Sequence, residues 1–405
     1  MVLRKTISVF LCLLVFAFPA FSAPEYGEHS TVATADYTKR YWGTAFQYTR
    51  VIELKHSGEH NGELIATYEL ATSGLHQQRP GYNIHISRDG GSTWEMISTV
   101  REKSYAVQSE WQPFLYELPC RIGDMPEGTL LLAACSVDAA HSKKTVLTLY
   151  RSYDIGKTWE QYGSVAVGGG HDTAVWEPFL MVLPDGRLAC YYSDSTEYEA
   201  HSQKIVMKIS EDGVEWGEPI DIVAFDDRVL RPGMATIAQM NDGRFIMTYE
   251  ICSEIDPHCG NAVHYRFSED GIDWGDIKDP GVMLVTDTGA VPGSAPYIAC
   301  VPGYGERGLL LVTAVFQTPA EPRGNIVYIN DNMGAEDAWR AWYLPEEYEG
   351  GTGGYSHAVV AAADGQTAYF INDIPDPDSP KGYDSEGYTK VVFVRFCFDE
   401  DSLTK

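Results

Sequence analysis

Two glutamates stand out as residues that could do chemistry together. Glu177 lies in Val175-Trp176-Glu177-Pro178-Phe179-Leu180, a carboxyl set among apolar neighbours. Such surroundings strip solvation from the charged form and raise the carboxyl pKa, which suits acid–base work. Glu250 closes the run Ile246-Met247-Thr248-Tyr249 and is followed by a loop between Cys252 and Cys259. Cleavage of a glycosidic bond needs a pair of this kind, two carboxyl groups flanking the bond with one protonated to assist the leaving oxygen. The competing structural readings are concrete. Glu177 could be a strand-end acid paired with a surface Arg, and Glu250 shares its register with Glu69 in Thr67-Tyr68-Glu69.

That register comes from a repeat. Ser87-Arg88-Asp89-Gly90-Gly91-Ser92-Thr93-Trp94 is rewritten as Ser152 to Trp159, Ser210 to Trp216 and Ser268 to Trp274. A worn copy runs from Asn330 to Trp339. Successive copies start about 60 residues apart, the mark of a repeat architecture. Each copy follows an alternating strand such as Tyr82-Asn83-Ile84-His85-Ile86. Ser and Asp side chains accept hydrogen bonds from the turn's own N–H groups, and Gly supplies the positive φ. The Trp is expected to plug an apolar gap between neighbouring units. The copies therefore read as staples of the scaffold rather than as catalytic groups.

Between the turns lie short alternating runs with almost no helical periodicity. Each unit reads as four strands, and the chain holds about six units, so the fold class is all-β, a six-bladed β-propeller with a central channel. The first recognisable unit begins near Val51, and the segment from about Glu25 to Tyr48 is expected to complete the last blade. Inner strands open near Trp111, Val175, Arg231, Pro292 and Gly354. In this alignment Gln112 stands where Glu177 does, and Cys135, Ser193 and Asn372 stand where Glu250 does. The architecture itself therefore demands an acid at neither position.

The turn copies resemble the Asp boxes, or BNR repeats, of sialidase-like propellers. Trp-Glu-Pro-Phe at Glu177 and Tyr-Glu at Glu250, in adjacent blades, resemble glycoside hydrolase family 93. That family comprises secreted six-bladed exo-α-L-1,5-arabinanases that release arabinobiose with retention. The resemblance implies Glu177 and Glu250 as the catalytic carboxylates. Sequence does not assign their roles, and we take Glu177 as nucleophile and Glu250 as acid/base. Tyr355, in Gly353-Gly354-Tyr355-Ser356-His357, matches a family Tyr that faces the catalytic centre. Around these, the expected substrate contacts are Trp176, His171 and Asp172 ahead of the Glu177 strand, Arg231 on the next inner strand, and His357. Tyr41 and Trp42 offer a further aromatic platform for a sugar ring.

Residues 1–22 read as a secretory leader: Arg4 and Lys5, an apolar stretch from Val9 to Phe18, and the small-x-small site Ala20-Phe21-Ser22. Residues 23–405 are then expected to form one exported catalytic domain, extracellular or periplasmic, and monomeric. Of eight cysteines, Cys12 falls in the leader and an odd number remains. Cys252 and Cys259 are the disulfide candidates, and the rest read as small core residues. No pattern suggests a metal or cofactor. The formal charge of −27 argues against nucleic acid and anionic membranes and is compatible with a neutral polysaccharide.

A sialidase is the rival enzyme. It needs three arginines for the substrate carboxylate, opened by a Phe/Tyr-Arg-Ile-Pro motif. The chain lacks that motif, and although Arg231 could be one member, three inner-strand arginines cannot be assembled. A propeller that only binds glycans or proteins is the reading from another class. It predicts that Glu177 and Glu250 sit far apart or point away from the channel.

Overall fold

The computed structural model describes residues 29–39, 41–72, 81–103, 107–138, 144–253, 260–319, 326–344, 354–379 and 388–398. For 41–44, 72, 107–108, 138 and 171 the description covers the backbone alone. Six antiparallel sheets follow one another along the chain as the blades of a propeller. Five have four strands, and the fourth sheet is extended to six by Val291–Gly293 and Phe316–Thr318. Among the described residues no helix is long and apolar enough to cross a membrane.

The ring closes with the first described strand. His29–Thr34 pairs antiparallel with Thr389–Cys397 and becomes the outermost strand of blade six, which leaves no unpaired sheet at the junction. The rest of the early segment does something else. Tyr41–Glu53 is the innermost strand of blade one, paired with Leu64–Thr72. Blade one therefore begins at Tyr41, ten residues earlier than Val51. The physical reason is burial on both faces. Ala45, Phe46, Tyr48 and Val51 are all buried, a pattern that suits an inner strand and hides simple alternation. The fifth blade also opens later than expected. Val291–Gly293 stays with blade four, and the inner strand of blade five is Tyr297–Val301.

The repeated turns are built as their residue types require. Gly91 donates its N–H to Ser87 Oγ at 2.9 Å, and Thr93 donates to Asp89 Oδ1 at 2.9 Å. The same pair recurs at Gly156 to Ser152 and Thr158 to Asp154, and at Gly213 to Ser210 and Glu215 to Asp212. It recurs again at Gly271 to Ser268 and Asp273 to Asp270. In the worn copy Asn330 Oδ1 replaces the serine oxygen and accepts from Gly334. Gly91 has φ +94°, and a Cβ there would lie 2.0 Å from the Phe393 ring of blade six. Beside it Trp94 packs edge-on to Phe393 at 5.3 Å and donates to Ser30 Oγ. Trp274 meets Tyr191 of blade three, and Trp339 meets Tyr265 of blade four. These three turns thus fasten their blade to the preceding one, as expected of the Trp.

The inner strands share one further feature. Each carries or is preceded by a non-glycine residue in the left-handed region: Tyr48, Gln112, Glu177, Met234, Ala295 and Ser356, with φ between 48° and 61°. In blades one to four the strand register slips at that residue, a β-bulge. Left-handed backbone costs a non-glycine residue on the order of 1–3 kcal/mol and persists where surrounding contacts hold it. Five of the six, Tyr48, Gln112, Glu177, Met234 and Ser356, line one cavity, and Ala295 packs with Tyr48 and Met234.

Candidate active site

A bulge removes an N–H from the sheet ladder, and that N–H needs another acceptor. Here the second strand of the preceding blade supplies it. Glu69 Oε2 accepts from Gln112 at 2.9 Å, Ser193 Oγ from Met234 at 3.1 Å, and Glu250 Oε2 from Ala295 at 2.8 Å. Glu69, Ser193 and Glu250 are therefore equivalent capping positions, which is why register alone does not separate Glu250 from Glu69. What separates them is the neighbourhood.

Glu177 sits on the bulge of blade three and turns its carboxylate to the axis. Ser193 Oγ donates to Glu177 Oε2 at 2.6 Å. Tyr48 OH and Gln112 Nε2 each approach Oε1 at 3.4 Å. Burial raises the Glu177 pKa, while the Ser193 hydrogen bond and the Arg231 charge pull it back. Glu250, 5% exposed, is pushed up to about 7, first by burial and then by the negative charge of Glu177, against the hydrogen bond from Ala295. The two carboxyl groups thus feel each other and have unequal environments. Glu177 collects donors that favour the ionised form, and Glu250 is the one raised toward neutral pH.

Tyr355 joins them. Its ring packs edge-on against Tyr48 at 5.5 Å, and its hydroxyl points to Met234 Sδ at 3.4 Å. Burial, then the charges of Glu250 and Glu177, hold that hydroxyl well above the usual tyrosine range, so it is a neutral donor. Arg231 is braced by Gln203, whose Oε1 accepts from Nη2, and its charge reaches Glu177, Glu250 and Tyr355. Glu177, Tyr48 and Gln112 line a cavity of about 20 Å³ together with Arg50, Phe114 and Thr236. Arg50 is buried there, donating to the Ser356 carbonyl at 2.6 Å and Oγ at 2.8 Å and lying over the Tyr48 and Tyr297 rings.

Of the residues expected at the site, Glu177, Glu250, Tyr355 and Arg231 come together. Trp176 is buried beside them, stacked on Trp111 at 5.9 Å across the gap between blades two and three. His357 is not brought to the pair. It is 1% exposed, packs on Phe370, sets Nδ1 3.3 Å from the Gly354 carbonyl, and burial lowers its pKa to about 4. Alternation would put it on the same side as Tyr355, but the left-handed Ser356 between them breaks the alternation. Asp172 is exposed on the short turn His171–Thr173, ahead of the Glu177 strand. The side chains of His171, Tyr41 and Trp42, and Cys259 of the expected disulfide, lie outside the described residues. Cys135 and Cys190 are buried thiols as expected, whereas Cys120, Cys300 and Cys397 are half-buried. Sequence reasoning missed Tyr48, Gln112 and Ser193 as partners of Glu177. Gln112 and Ser193 had been aligned with the two acids, but only as blanks.

No family model and no curated protein matches this sequence. Solved structures do. The chain is similar to the family 93 α-L-arabinofuranosidase of Fusarium graminearum, solved with arabinobiose. The two are 27% identical with a TM-score of 0.75, over 91% of this chain and 97% of that one. It is also similar to the α-L-arabinanase of Penicillium chrysogenum complexed with arabinobiose, at 28% identity and a TM-score of 0.75, over 92% and 98%. This chain is a family-93-like glycoside hydrolase. A Hadza microbial sialidase, 15% identical with a TM-score of 0.57, shares the fold with the family-93-like hydrolase over 87% of this chain and 66% of its own.

Proposed function

We propose that this hydrolase is exported and cleaves α-1,5-linked L-arabinan from the chain end, releasing arabinobiose with retention. The observation that carries the reading is the pairing of Glu177, rich in donors, with Glu250, raised to about 7 and within reach of the Glu177 charge. The two similar structures that hold arabinobiose supply the substrate class. Glu177 attacks the anomeric carbon as the glycosidic C–O bond breaks, and the Glu250 proton passes to the leaving oxygen. Water then attacks the same carbon, Glu250 takes its proton, and the bond to Glu177 breaks. Tyr355 donates toward the developing charge, and Arg231 keeps Glu177 ionised. The leader over residues 1–22 and a net charge of −27 fit an exported domain, residues 23–405, that acts alone on a neutral polymer.

Incubation with debranched arabinan, beside a sialoside, tests the substrate. Chromatography of the products is expected to show arabinobiose from the first minutes, without longer oligomers, and no free sialic acid. Release of sialic acid with arabinan intact would overturn the proposal in favour of the sialidase. Inertness to both sugars, with binding retained, would favour a glycan-binding propeller.

A further inference from the structure

Position 112 is the counterpart of position 177 one blade earlier, and both residues are left-handed, with φ 55° and 58°. Gln112 does more than fill that place. Its Oε1 accepts the backbone N–H of Glu177 at 3.0 Å. Its Nε2 donates to Tyr48 OH at 3.2 Å and lies 3.4 Å from Glu177 Oε1. The amide orientation is fixed by chemistry, because only the oxygen can accept the Glu177 N–H. The nitrogen must then face the phenol and the carboxylate. Gln112 is 9% exposed, and its own N–H is tied to Glu69 Oε2 at 2.9 Å. One side chain therefore holds both the strained backbone and the carboxylate of Glu177, and Glu69 locks that side chain in turn.

We propose that Gln112 is a positioning residue for Glu177, holding its bulge and, as a neutral donor, favouring its ionised form. This rests on the reading of Glu177 as the nucleophile. A carboxylate at 112 would offer two acceptors where the site needs one acceptor and one donor, and would set like charges against each other. The other titratable groups whose charge reaches Glu177 are Tyr48, Arg50, Cys135, Arg231, Glu250 and Tyr355. Glu69 meets the same set through Arg50, Tyr48 and Cys135. A substitution at 112 changes none of these residues and touches only Tyr48 among them, through the lost hydrogen bond to its hydroxyl, so a change in the ionisation of Glu177 traces to the amide, directly or by way of Tyr48.

The test is the pH dependence of kcat/KM on arabinan for Gln112→Glu and Gln112→Met, with Glu177→Gln in the same assay and folding followed by circular dichroism. Both Gln112 variants are expected to lose turnover, by about 100-fold where the geometry is released. In both, the acidic limb of the profile should move to higher pH, by about one unit or more in Gln112→Glu and by less in Gln112→Met. If Gln112→Glu does not fold, the neutral near-isostere Gln112→Met decides alone, since it also removes the donor. A folded variant whose rate falls equally at every pH, with the acidic limb unmoved, overturns the inference. Glu177→Gln separates the two claims. Wild-type rates in that variant would sink the nucleophile reading, whereas an inactive Glu177→Gln beside unmoved Gln112 profiles would sink only the role of Gln112.

Discussion

Glu177→Ala is expected to reduce kcat on arabinan by about 10⁴-fold or more, because the group proposed to form the covalent intermediate is gone. KM should change little, since the carboxylate acts mainly on the transition state rather than on ground-state binding. Azide makes the prediction specific. A small anion entering the space left by the side chain attacks the anomeric carbon once, so the rescued product is the β-configured glycosyl azide. Glu250→Ala gives the opposite result. There Glu177 still forms the intermediate, azide opens it, and two inversions return the α-azide. An α-azide from Glu177→Ala and a β-azide from Glu250→Ala would exchange the two roles. The donors around Glu177 decide in advance which outcome to expect, because Ser193, Tyr48 and Gln112 all approach its carboxylate. Glu250 Oε2, by contrast, is occupied by the Ala295 N–H.

The second large effect is on pH dependence. In the proposed mechanism Glu250 must carry its proton to assist the leaving oxygen, and its pKa is pushed up to about 7. kcat/KM is therefore expected to hold below neutrality and fall as pH rises through about 7, where the acid is lost. On the acidic side, activity falls as Glu177 becomes protonated. Glu250→Ala should lower kcat on arabinan by about 10²–10⁴-fold and erase the basic limb. An aryl arabinoside, whose leaving group departs without a proton, should lose far less in the first step. A basic limb that survives in Glu250→Ala would move the acid elsewhere. Glu69 is the residue to examine in that case, since burial raises its pKa to about 8 against the Gln112 hydrogen bond and the Arg50 charge.

Much of this was legible in the chain. The turn copies fixed blade register because their chemistry is local: Ser, Asp and Gly satisfy one another within a few residues. Register in turn set Glu177 against Gln112 and Glu250 against Cys135, but it left Glu69 beside Glu250. What escaped was non-local. Tyr48 donates to Glu177 across 129 residues, and Gln112 reaches it across 65. No pattern within one blade signals a partner on another. Tyr48 was also hidden because its strand is buried on both faces and reads as a lead-in to the repeats. Gln112 served as evidence that the fold does not require an acid there, and its amide proved to be a partner of the acid that is there. His357 escaped for a different reason: the left-handed Ser356 inverts strand alternation, and a serine, unlike glycine or asparagine, does not announce that conformation.

The most direct test of the account is the anomeric configuration of the sugar first released from arabinan. Proton NMR, read before mutarotation mixes the anomers, is expected to show the α-anomer forming first. That result requires two displacements at one carbon, in the proposed mechanism the first by Glu177 and the second by water that Glu250 deprotonates. The β-anomer appearing first would mean a single displacement by water and would contradict the assignment of Glu177.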